Sequence, residues 1–339
     1  MIPGKIVFIS KGNEKPSTRY RARQFDNLFT QDGWDVGYIN ASGSLLNKIK
    51  ALKQAYSAEV IVVIRKNFSL FHFKILRLIS NKLIYDFDDA NFIKPDGSES
   101  HTRYASFKRF MLNSDHIWAG NNYLALEAKK FTPKVSIVPT SIKPEKYAIE
   151  AQKPENTFDL VWIGSQSTSR YIKEIIPVLE KASEQLPNLR LKIIADFKAT
   201  SDKFEIISLP WSSSIEAYEL ASSHVGLAPM PDTPWSRGKC GLKVLQYMTA
   251  GLPVISSNSG VNAEIIEDGI TGYLVDSDEQ WIDALEKLYK NRSQLNNMGI
   301  NARKEVNQHY SINAVYQIIS GDLKKLCLTN TVSDSICKH

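Results

Sequence analysis

The stretch GLAPMPDTPWSRGKCGLKVLQYMTAGLPVISSNSGVNAEIIEDGITGYLV, residues 226–275, decides the fold class. An apolar strand ends at Pro229, a long loop with proline and glycine follows, and an amphipathic helix begins near Gly241. A second apolar strand covers 253–256, and a short one follows at 272–275. Apolar strands that alternate with a helix in this way predict a parallel βαβ arrangement, covered on both faces.

The same alternation extends outward to both ends of the chain. KIVFIS (5–10) opens one run of strands and helices, which includes a predicted helix near 45–56, and FDLVWI (158–163) opens a second run. We therefore predict an α/β protein with two doubly wound Rossmann-like domains facing a cleft. The predicted parts are an N-terminal domain at 1–142, a linker at 143–157, a second domain at 158–308, a C-terminal helix at 309–326 packing back on the first domain, and a flexible tail at 327–339.

The composition and charge of the chain exclude some classes of protein and indicate the kind of binding partner. The 339 residues are 43% hydrophobic and 23% charged, which excludes a disordered chain. Residues 1–140 hold 21 Lys and Arg against 12 Asp and Glu, a formal +9, whereas the remainder is −3. Three scattered cysteines and six scattered histidines predict neither a disulfide framework nor a structural zinc site. Without a signal-like start or a long apolar run, we expect a cytoplasmic protein whose first half faces an anionic partner.

The loop and helix start within 226–275 concentrate positive charge. Arg237, Lys239 and Lys243 lie near the predicted helix start, where the helix dipole disfavours cations unless an anion is close. The first backbone amides of that helix, at Gly241 and Leu242, offer donors to the same anion. The alternative interpretation is a solvated basic face. Because the loop follows the carboxyl end of a strand, we favour a phosphate site.

These residues resemble the nucleotide-sugar site of the family-4 (group 1) glycosyltransferases of GT-B fold. AGLPVI (250–255) and DGITGYLV (268–275) match the two best-kept stretches of that family, and Gly260 with Glu264 resembles its glycine-then-glutamate loop. WIGS (162–165), STRYR (17–21) and DFDD (86–89) extend the resemblance over nearly the whole chain. The resemblance implies sugar transfer from a nucleoside diphosphate donor held by the second domain, an acceptor mainly on the first, retention of configuration and no essential metal.

The sequence also departs from the family pattern. Two glutamates with seven residues between them usually lie around the helix start, and here Gly238 and Gln246 stand at those positions. The Arg and Lys that many members carry after the first strand of the second domain are missing from 165–169. Arg237, Lys239 and Lys243 are expected to supply that phosphate-binding charge instead, because the departing diphosphate must be neutralised.

Three carboxylates follow the predicted strand that ends near Asp86. Asp86 and Asp88 share one face of the strand, and Asp89 begins the loop. Crowded carboxylates raise at least one pKa, which suits a group that orients or deprotonates an acceptor hydroxyl. Two alternatives are a metal-binding Asp-x-Asp, as in the single-domain glycosyltransferase fold, and carboxylates that cap a helix or pair with arginine.

Three further features of the sequence each allow two interpretations. Arg19 and Arg21 contact a phosphate or form a salt-bridged face, and Gly12 borders the cleft without a dinucleotide fingerprint. Trp211 and Trp235 are platforms for a base or core residues. The apolar segment 67–81, with Lys74 and Arg77, is a helix that covers the sheet or one that lies on a membrane surface.

We therefore predict a retaining, hexosyltransferase-type glycosyltransferase of polysaccharide biosynthesis that uses a nucleotide-sugar donor and a glycan or lipid-linked acceptor. It needs no metal or other cofactor, binds no nucleic acid and contacts an anionic membrane peripherally. The alternatives are a non-catalytic nucleotide-sugar-binding or scaffold subunit, and nucleic-acid binding through the basic half. The predicted catalytic residues are Asp88, Asp89, Lys239 and Lys243; the donor-binding residues are Gly12, Gly164, Ser165, Trp211, Arg237, Gly241, Leu242, Gln246, Gly260 and Glu264; the acceptor-side residues are Arg19 and Arg21.

Overall fold

The computed structural model describes residues 4–40 and 54–336. The chain divides into two compact units. The first unit comprises Met1–Ser141, Thr233–Cys240 and Ile312–His339, and the second comprises Ile142–Asp232 and Gly241–Ser311. The C-terminal helix therefore belongs to the first unit, together with a short segment taken from the middle of the second half.

The first unit is built on a six-stranded parallel sheet in its described residues, with the order β2-β1-β3-β4-β5-β6. Its strands are β1 (Lys5–Ser10), β2 (Asp35–Asn40), β3 (Val60–Ile64), β4 (Lys82–Phe87), β5 (His116–Ala119) and β6 (Val135–Ile137). Its helices are α1 (Pro16–Arg21), α2 (Asp26–Gln31), α3 (Leu70–Ile79), α4 (His101–Asn113), α5 (Asn122–Lys129), α9 (Pro234–Arg237) and α14 (Ile312–Ile336). The strand order reverses between β1 and β3, which pair side by side.

Helices cover both faces of this sheet, as continuous apolar strands require. Phe73 of α3 and Phe110 of α4 pack on one face with Tyr85. On the other face, α14 contributes Ile319 beside strand residues and is fixed by Tyr316, whose hydroxyl donates to the Leu28 carbonyl at 3.0 Å. The burial of these side chains explains why a helix more than 170 residues downstream of this sheet is part of the same unit.

The second unit has its own six-stranded parallel sheet, with the order β12-β11-β10-β7-β8-β9. Its strands are β7 (Phe158–Ile163), β8 (Leu189–Ile194), β9 (Glu205–Leu209), β10 (Val225–Ala228), β11 (Val254–Ser257) and β12 (Gly272–Val275). Its helices are α6 (Pro144–Tyr147), α7 (Ser169–Ser183), α8 (Glu216–Ala221), α10 (Leu242–Thr249), α11 (Gly260–Ile265), α12 (Asp278–Lys290) and α13 (Arg292–Glu305). Here the order reverses between β7 and β10.

The segment predicted as a linker at 143–157 lies within the second unit. It contains α6, and Tyr147 at the end of that helix is buried in the core with residues of α8 and α10. The Ile142 amide donates to the Tyr310 carbonyl at 2.9 Å, so the segment is anchored where it begins. Buried aromatic area outweighs the charge and proline content that suggested a linker.

Other boundaries differ from the prediction for local reasons. Residues 16–31 form two short helices, α1 and α2, which a short 3-10 turn at 23–25 separates. The C-terminal helix continues to Ile336, ten residues past the predicted boundary at 326. Most of the helix predicted near 45–56 lies outside the described residues, because the structure does not describe residues 41–53. Across the described residues, no helix combines the length and apolar character needed to cross a bilayer.

Candidate functional site

The second unit places its candidate site at the reversal of strand order. β7 and β10 are adjacent and parallel, and the chain leaves them in opposite directions along the sheet. The loop at 164–168 follows β7, and the long loop at 229–241 follows β10 and leads to α10. Ligands of open α/β sheets bind at the carboxyl ends of strands at such a reversal. We call the 164–168 loop and the first turn of α10 the switch-point site.

Lys243 lies on the first turn of α10 and points toward this loop. Its Nζ donates to Thr168 Oγ1 at 3.1 Å and lies 4.2 Å from the centroid of the Trp162 ring. Gly241, the residue before the helix, has φ of 66°, a left-handed conformation that favours glycine. The predicted residues Gly241, Leu242 and Lys243 are thus brought beside the β7 loop, and a cation is held at a helix start.

The loop itself is shaped by a tight approach and by hydroxyl groups. A side chain at Gly164 would place Cβ 2.2 Å from the Trp162 ring, so the aromatic ring fills the space beneath the loop. The Ser165 amide donates to Thr168 Oγ1 at 3.3 Å, and Thr168 Oγ1 donates to the Ser165 carbonyl at 3.1 Å. Thr168 was missed by the sequence analysis. The run of hydroxyl residues after an apolar strand was the signal that could have indicated it.

Gln246 and Trp211 meet at a buried glutamate in the second unit. Glu216 Oε1 accepts from Gln246 Nε2 at 3.0 Å and from Lys146 Nζ at 2.8 Å, and the Tyr147 hydroxyl also donates to it. Glu216 Oε2 accepts from Trp211 Nε1 at 2.7 Å. Burial opposes ionisation of Glu216, but these donors outweigh it and lower the pKa of the carboxyl. The network orients Gln246 and leaves the Trp211 ring 44% exposed.

Two further predicted donor residues lie on α11. Gly260 is the first residue of that helix, and Glu264 is exposed one turn later. The helix follows β11, which pairs with β10 in the sheet. These residues are therefore on the same edge of the second sheet as the switch-point site.

In the first unit, the predicted carboxylates form an ion-paired cluster. Asp88 and Asp89 follow β4 and are buried, and Arg65 follows the neighbouring strand β3. Arg65 Nε lies 3.1 Å from Asp88 Oδ1, and its Nη2 pairs with Asp89. Lys239 Nζ is 3.1 Å from Asp89 Oδ1. Burial raises the pKa of Asp89, although Arg65 and then Lys239 act against that rise.

Arg65 is the residue of this cluster that sequence analysis missed. Its φ of 49° is left-handed, which is uncommon for arginine, and its amide donates to the Asp86 carbonyl at 2.9 Å. Its position in the sequence could have indicated it, because it is a cation directly after one strand and the carboxylates directly follow the next strand. Carboxyl ends of adjacent parallel strands meet at one edge of the sheet.

Arg21 has a different position from the one predicted for phosphate contact. It is buried, and its Nε donates to both carboxylate oxygens of Asp86, at 3.2 and 3.0 Å. Its Nη1 donates to the Val138 carbonyl at 2.6 Å. Arg19 is exposed on the preceding turn, and Gly12 lies in the loop after β1 with its carbonyl bonded to Thr18 Oγ1 at 2.7 Å. Arg21 therefore pairs with a carboxylate of DFDD, as expected from the alternative interpretation in which those carboxylates pair with arginine.

The segment with Arg237 and Lys239 is held against the first unit by an amide side chain. Asn121, which is buried after β5, donates from Nδ2 to the carbonyls of Arg237 and Lys239 at 3.0 and 2.9 Å. A side chain at Gly238 would place Cβ 2.7 Å from Ala90 Cβ. The Lys239 ammonium also lies 4.3 Å from the centroid of the Trp235 ring. Lys239 thus precedes α10 and belongs to the acidic cluster.

The carboxylates do not form a metal-binding set in the described residues. There, no group of three or more His, Cys, Asp or Glu side chains is arranged to hold a metal ion. Asp86 is paired with Arg21, Asp88 with Arg65, and Asp89 with Arg65 and Lys239. Each carboxylate of the sequence DFDD therefore has a cationic partner from the chain itself.

The second half of the chain matches a known family of proteins. Residues 145–305, a little less than half of the chain, match the sequence model of the family described as Glycosyl transferases group 1. A probable sucrose-phosphate synthase of Thermosipho melanesiensis is 29% identical over 135 residues, which are 38% of this chain and 30% of that protein. The alpha-1,3/1,6-mannosyltransferase ALG2 of Dictyostelium discoideum is 34% identical over 87 residues, 25% of this chain and 21% of that protein. The chain thus spans less than a third of either relative.

Solved structures match over nearly the whole chain. Sucrose-phosphate synthase from Thermosynechococcus elongatus superposes with a TM-score of 0.71 at 13% identity, covering 96% of this chain and 99% of that one. Anabaena HepE in complex with UDP and glucose gives a TM-score of 0.65 at 14% identity, covering 95% and 100%. The resemblance seen in the sequence is confirmed: residues 145–305 match the group 1 glycosyl transferases, and the two parallel six-stranded sheets have the GT-B fold.

Proposed function

We propose that this protein is a glycosyltransferase that moves a sugar from a nucleoside diphosphate sugar to a glycan or lipid-linked acceptor. The observation that carries the proposal is Lys243, held on the first turn of α10 and bonded to Thr168 in the loop after β7. It lies in the segment that matches the group 1 family. The structures of HepE with UDP and with UDP-glucose support a nucleotide sugar as the donor class.

The proposed chemistry places negative charge where Lys243 lies. The bond between the sugar anomeric carbon and the diphosphate oxygen breaks, and a bond to the acceptor oxygen forms at the same carbon. The departing nucleoside diphosphate gains a negative charge, which the Lys243 ammonium and the first amides of α10 stabilise. We propose that this stabilisation takes the place of a metal ion and that configuration is retained.

The acceptor hydroxyl must lose a proton in this reaction. We propose that Asp89 of the first unit takes or orients it, since Asp89 lies in the loop after β4 and burial raises the pKa of its carboxyl. Arg65 positions Asp88 and Asp89 from a neighbouring strand. We assign the acceptor to the first unit on this basis and on its charge of +9 over residues 1–140.

A nucleotide-sugar-binding subunit without transfer activity is the second candidate. It is favoured by Gln246, whose amide is bonded to Glu216 and Tyr147, and by Gly238, which has no side chain at the other usual glutamate position. Both candidates predict donor binding, so only transfer separates them.

The deciding experiment is a transfer assay on the full chain with a panel of radiolabelled nucleoside diphosphate sugars and a glycolipid extract. The proposal expects label to move from one donor into the extract, with loss in Lys243→Gln and retention in Lys173→Gln, an exposed lysine of α7. Binding of a donor without movement of label into any extract would establish the non-catalytic candidate instead.

We also propose that the first unit contacts an anionic membrane through α3. The helix buries Phe73 and Leu76 against the sheet, so it covers the sheet as one interpretation predicted. Its other side exposes Phe71 by 69% and Leu78 by 87%, with Lys74 between them. Apolar side chains beside a cation suit an interface with acidic lipids. Cosedimentation with phosphatidylglycerol vesicles should fall in Phe71→Ser with Leu78→Ser, and equal cosedimentation would refute the contact.

A further inference from the structure

A cavity lies in the second unit, and its walls share no residue with the switch-point site. Its volume is about 860 Å³, and it lies between the chain at 148–153 and helix α13, with 249–251 at the end of α10 as a third wall. None of the residues at 164–168 or 241–246 lines it. We call it the α13 cavity.

Two cations face this cavity. Arg303 on α13 is fixed by hydrogen bonds from Nε to the Thr249 carbonyl at 3.3 Å and from Nη2 to the Ala250 carbonyl at 3.0 Å. Lys153 lines the cavity from the opposite segment. Burial, with repulsion from Arg303, lowers the pKa of Lys153 to about 8. The arginine is therefore oriented by neutral carbonyl groups, and the lysine is near another positive charge.

No counterion is supplied by the described part of the chain. Among those residues, burial and the charge of Arg303 act on the pKa of Lys153, and no carboxylate does. Glu150 and Arg303 both line the cavity and are exposed, whereas Lys153 is half-buried. Holding a half-buried cation beside a second cation costs free energy unless an anion balances them. The cavity walls also offer the side-chain amides of Asn296 and Asn307, and the apolar side chain of Ile300.

We propose that the α13 cavity binds a phosphate-bearing small molecule, with Lys153 and Arg303 as partners of the phosphate. Two cations from opposite walls suit a doubly charged anion, and the amides suit the polar body of a small ester. The volume exceeds what inorganic phosphate needs, which favours an organic phosphate. The site is separate from the donor site proposed above and does not rest on it.

The test is calorimetric titration of the full chain with inorganic phosphate and with glycerol 3-phosphate. Lys153→Gln should weaken binding of both by about tenfold or more, whereas Lys153→Arg should stay within about threefold of the wild type. The matched control is Lys143→Gln, an exposed lysine of the same segment, which should bind as the wild type does. Tighter binding of the ester than of phosphate would identify an organic phosphate as the ligand class, and equal binding would identify the free anion.

A proton-linkage measurement separates this site from the donor site. At about pH 8, Lys153 should take up roughly half a proton when an anion binds beside it. Sulfate does not titrate there, so calorimetry with sulfate in two buffers of different ionisation enthalpy reports the protein's own protons. Arg303 and Glu150 line the cavity together with Lys153, and His224 lies near enough for Lys153 to lower its pKa.

Three outcomes would overturn the proposal. They are the absence of phosphate binding to the wild type, unchanged binding and proton uptake in Lys153→Gln, and loss of the same binding in Lys243→Gln, which would place the anion at the switch-point site. Because Lys153→Gln removes an unbalanced charge, its melting temperature without phosphate should equal or exceed that of the wild type. A melting curve thus shows that a loss of binding is not a loss of folding.

Discussion

Lys239 and Asp89 form an ion pair in the first unit, with 3.1 Å between Nζ and Oδ1. From the sequence, both residues were predicted to be catalytic, Lys239 at the donor diphosphate and Asp89 at the acceptor. Their pairing means that the charge of Lys239 acts on a carboxylate whose pKa is already raised by burial. Lys239, together with the stronger effect of Arg65, therefore favours the ionised form of Asp89.

Replacing Lys239 by Gln should make Asp89 harder to ionise. The lost positive charge no longer lowers the pKa of the carboxyl, so the acidic limb of the pH–rate profile should shift to higher pH. Lys94→Gln, at an exposed position of the same unit, should leave the limb in place. An unshifted limb in Lys239→Gln would remove Asp89 as the titrating group.

Replacing Arg65 by Gln should affect both stability and catalysis. Asp88 and Asp89 would keep their burial without the guanidinium that pairs with them, so unfolding free energy should fall by about 1–3 kcal/mol. Turnover should fall more than donor affinity does, because Arg65 positions acceptor-side carboxylates. Arg65→Lys should restore part of both. Urea unfolding and donor calorimetry measure the two effects, and Arg23→Gln at an exposed arginine is the control.

The Arg21–Asp86 pair should be a large determinant of stability. Both side chains are buried, so Arg21→Gln leaves a carboxylate without its partner and should cost about 3–5 kcal/mol of unfolding free energy. The double variant Arg21→Met with Asp86→Leu should recover much of that loss, since no buried charge remains. A loss below about 1 kcal/mol in Arg21→Gln would contradict the buried pairing.

His224 should make the protein less stable as the pH falls from about 6.5 to about 4. Burial, with Arg292 and Lys153 nearby, lowers the pKa of His224 to about 4, and its Nδ1 accepts from the Asp159 amide at 2.9 Å. Between these pH values the unfolded chain binds a proton that the folded chain does not, so acid favours unfolding. The full effect is about 3 kcal/mol.

His224→Asn keeps an acceptor for the Asp159 amide but cannot titrate. Urea unfolding at several pH values should therefore show a shallower decline for this variant than for the wild type. Parallel declines in the two proteins would show that another group causes the pH dependence.

The fold was largely predictable because each strand is a continuous apolar run between polar loops. KIVFIS became β1 with the predicted bounds, and FDLVWI became β7. Short helices were harder to predict from the sequence. α6 contains Pro144 and charged residues, and its position depends on burial of Tyr147 among residues distant in sequence. Such tertiary contacts are not visible in local composition.

The site was predictable in part, for a related reason. Lys243, Gly164 and Ser165 follow strands that are neighbours in the sheet, and the structure brings them to one edge. Gln246 was predicted from the sequence to bind the donor, and its contact with Glu216 was not predictable because it requires the packing of α8 against α10. Arg65 pairs with the carboxylate of Asp89, and Asn121 donates to the carbonyl of Lys239. These partners are distant in sequence, so no short motif indicated either residue.

The most direct test of the account is calorimetric binding of a panel of nucleoside diphosphates to the wild type, Lys243→Gln and Lys173→Gln. Lys243 carries the proposed diphosphate contact, whereas Lys173 is exposed on α7 beside the Phe197 ring. The account predicts that at least one nucleoside diphosphate binds, that Lys243→Gln weakens it by about tenfold or more, and that Lys173→Gln does not. Equal affinity in Lys243→Gln and the wild type, or no binding of any nucleoside diphosphate, would contradict it.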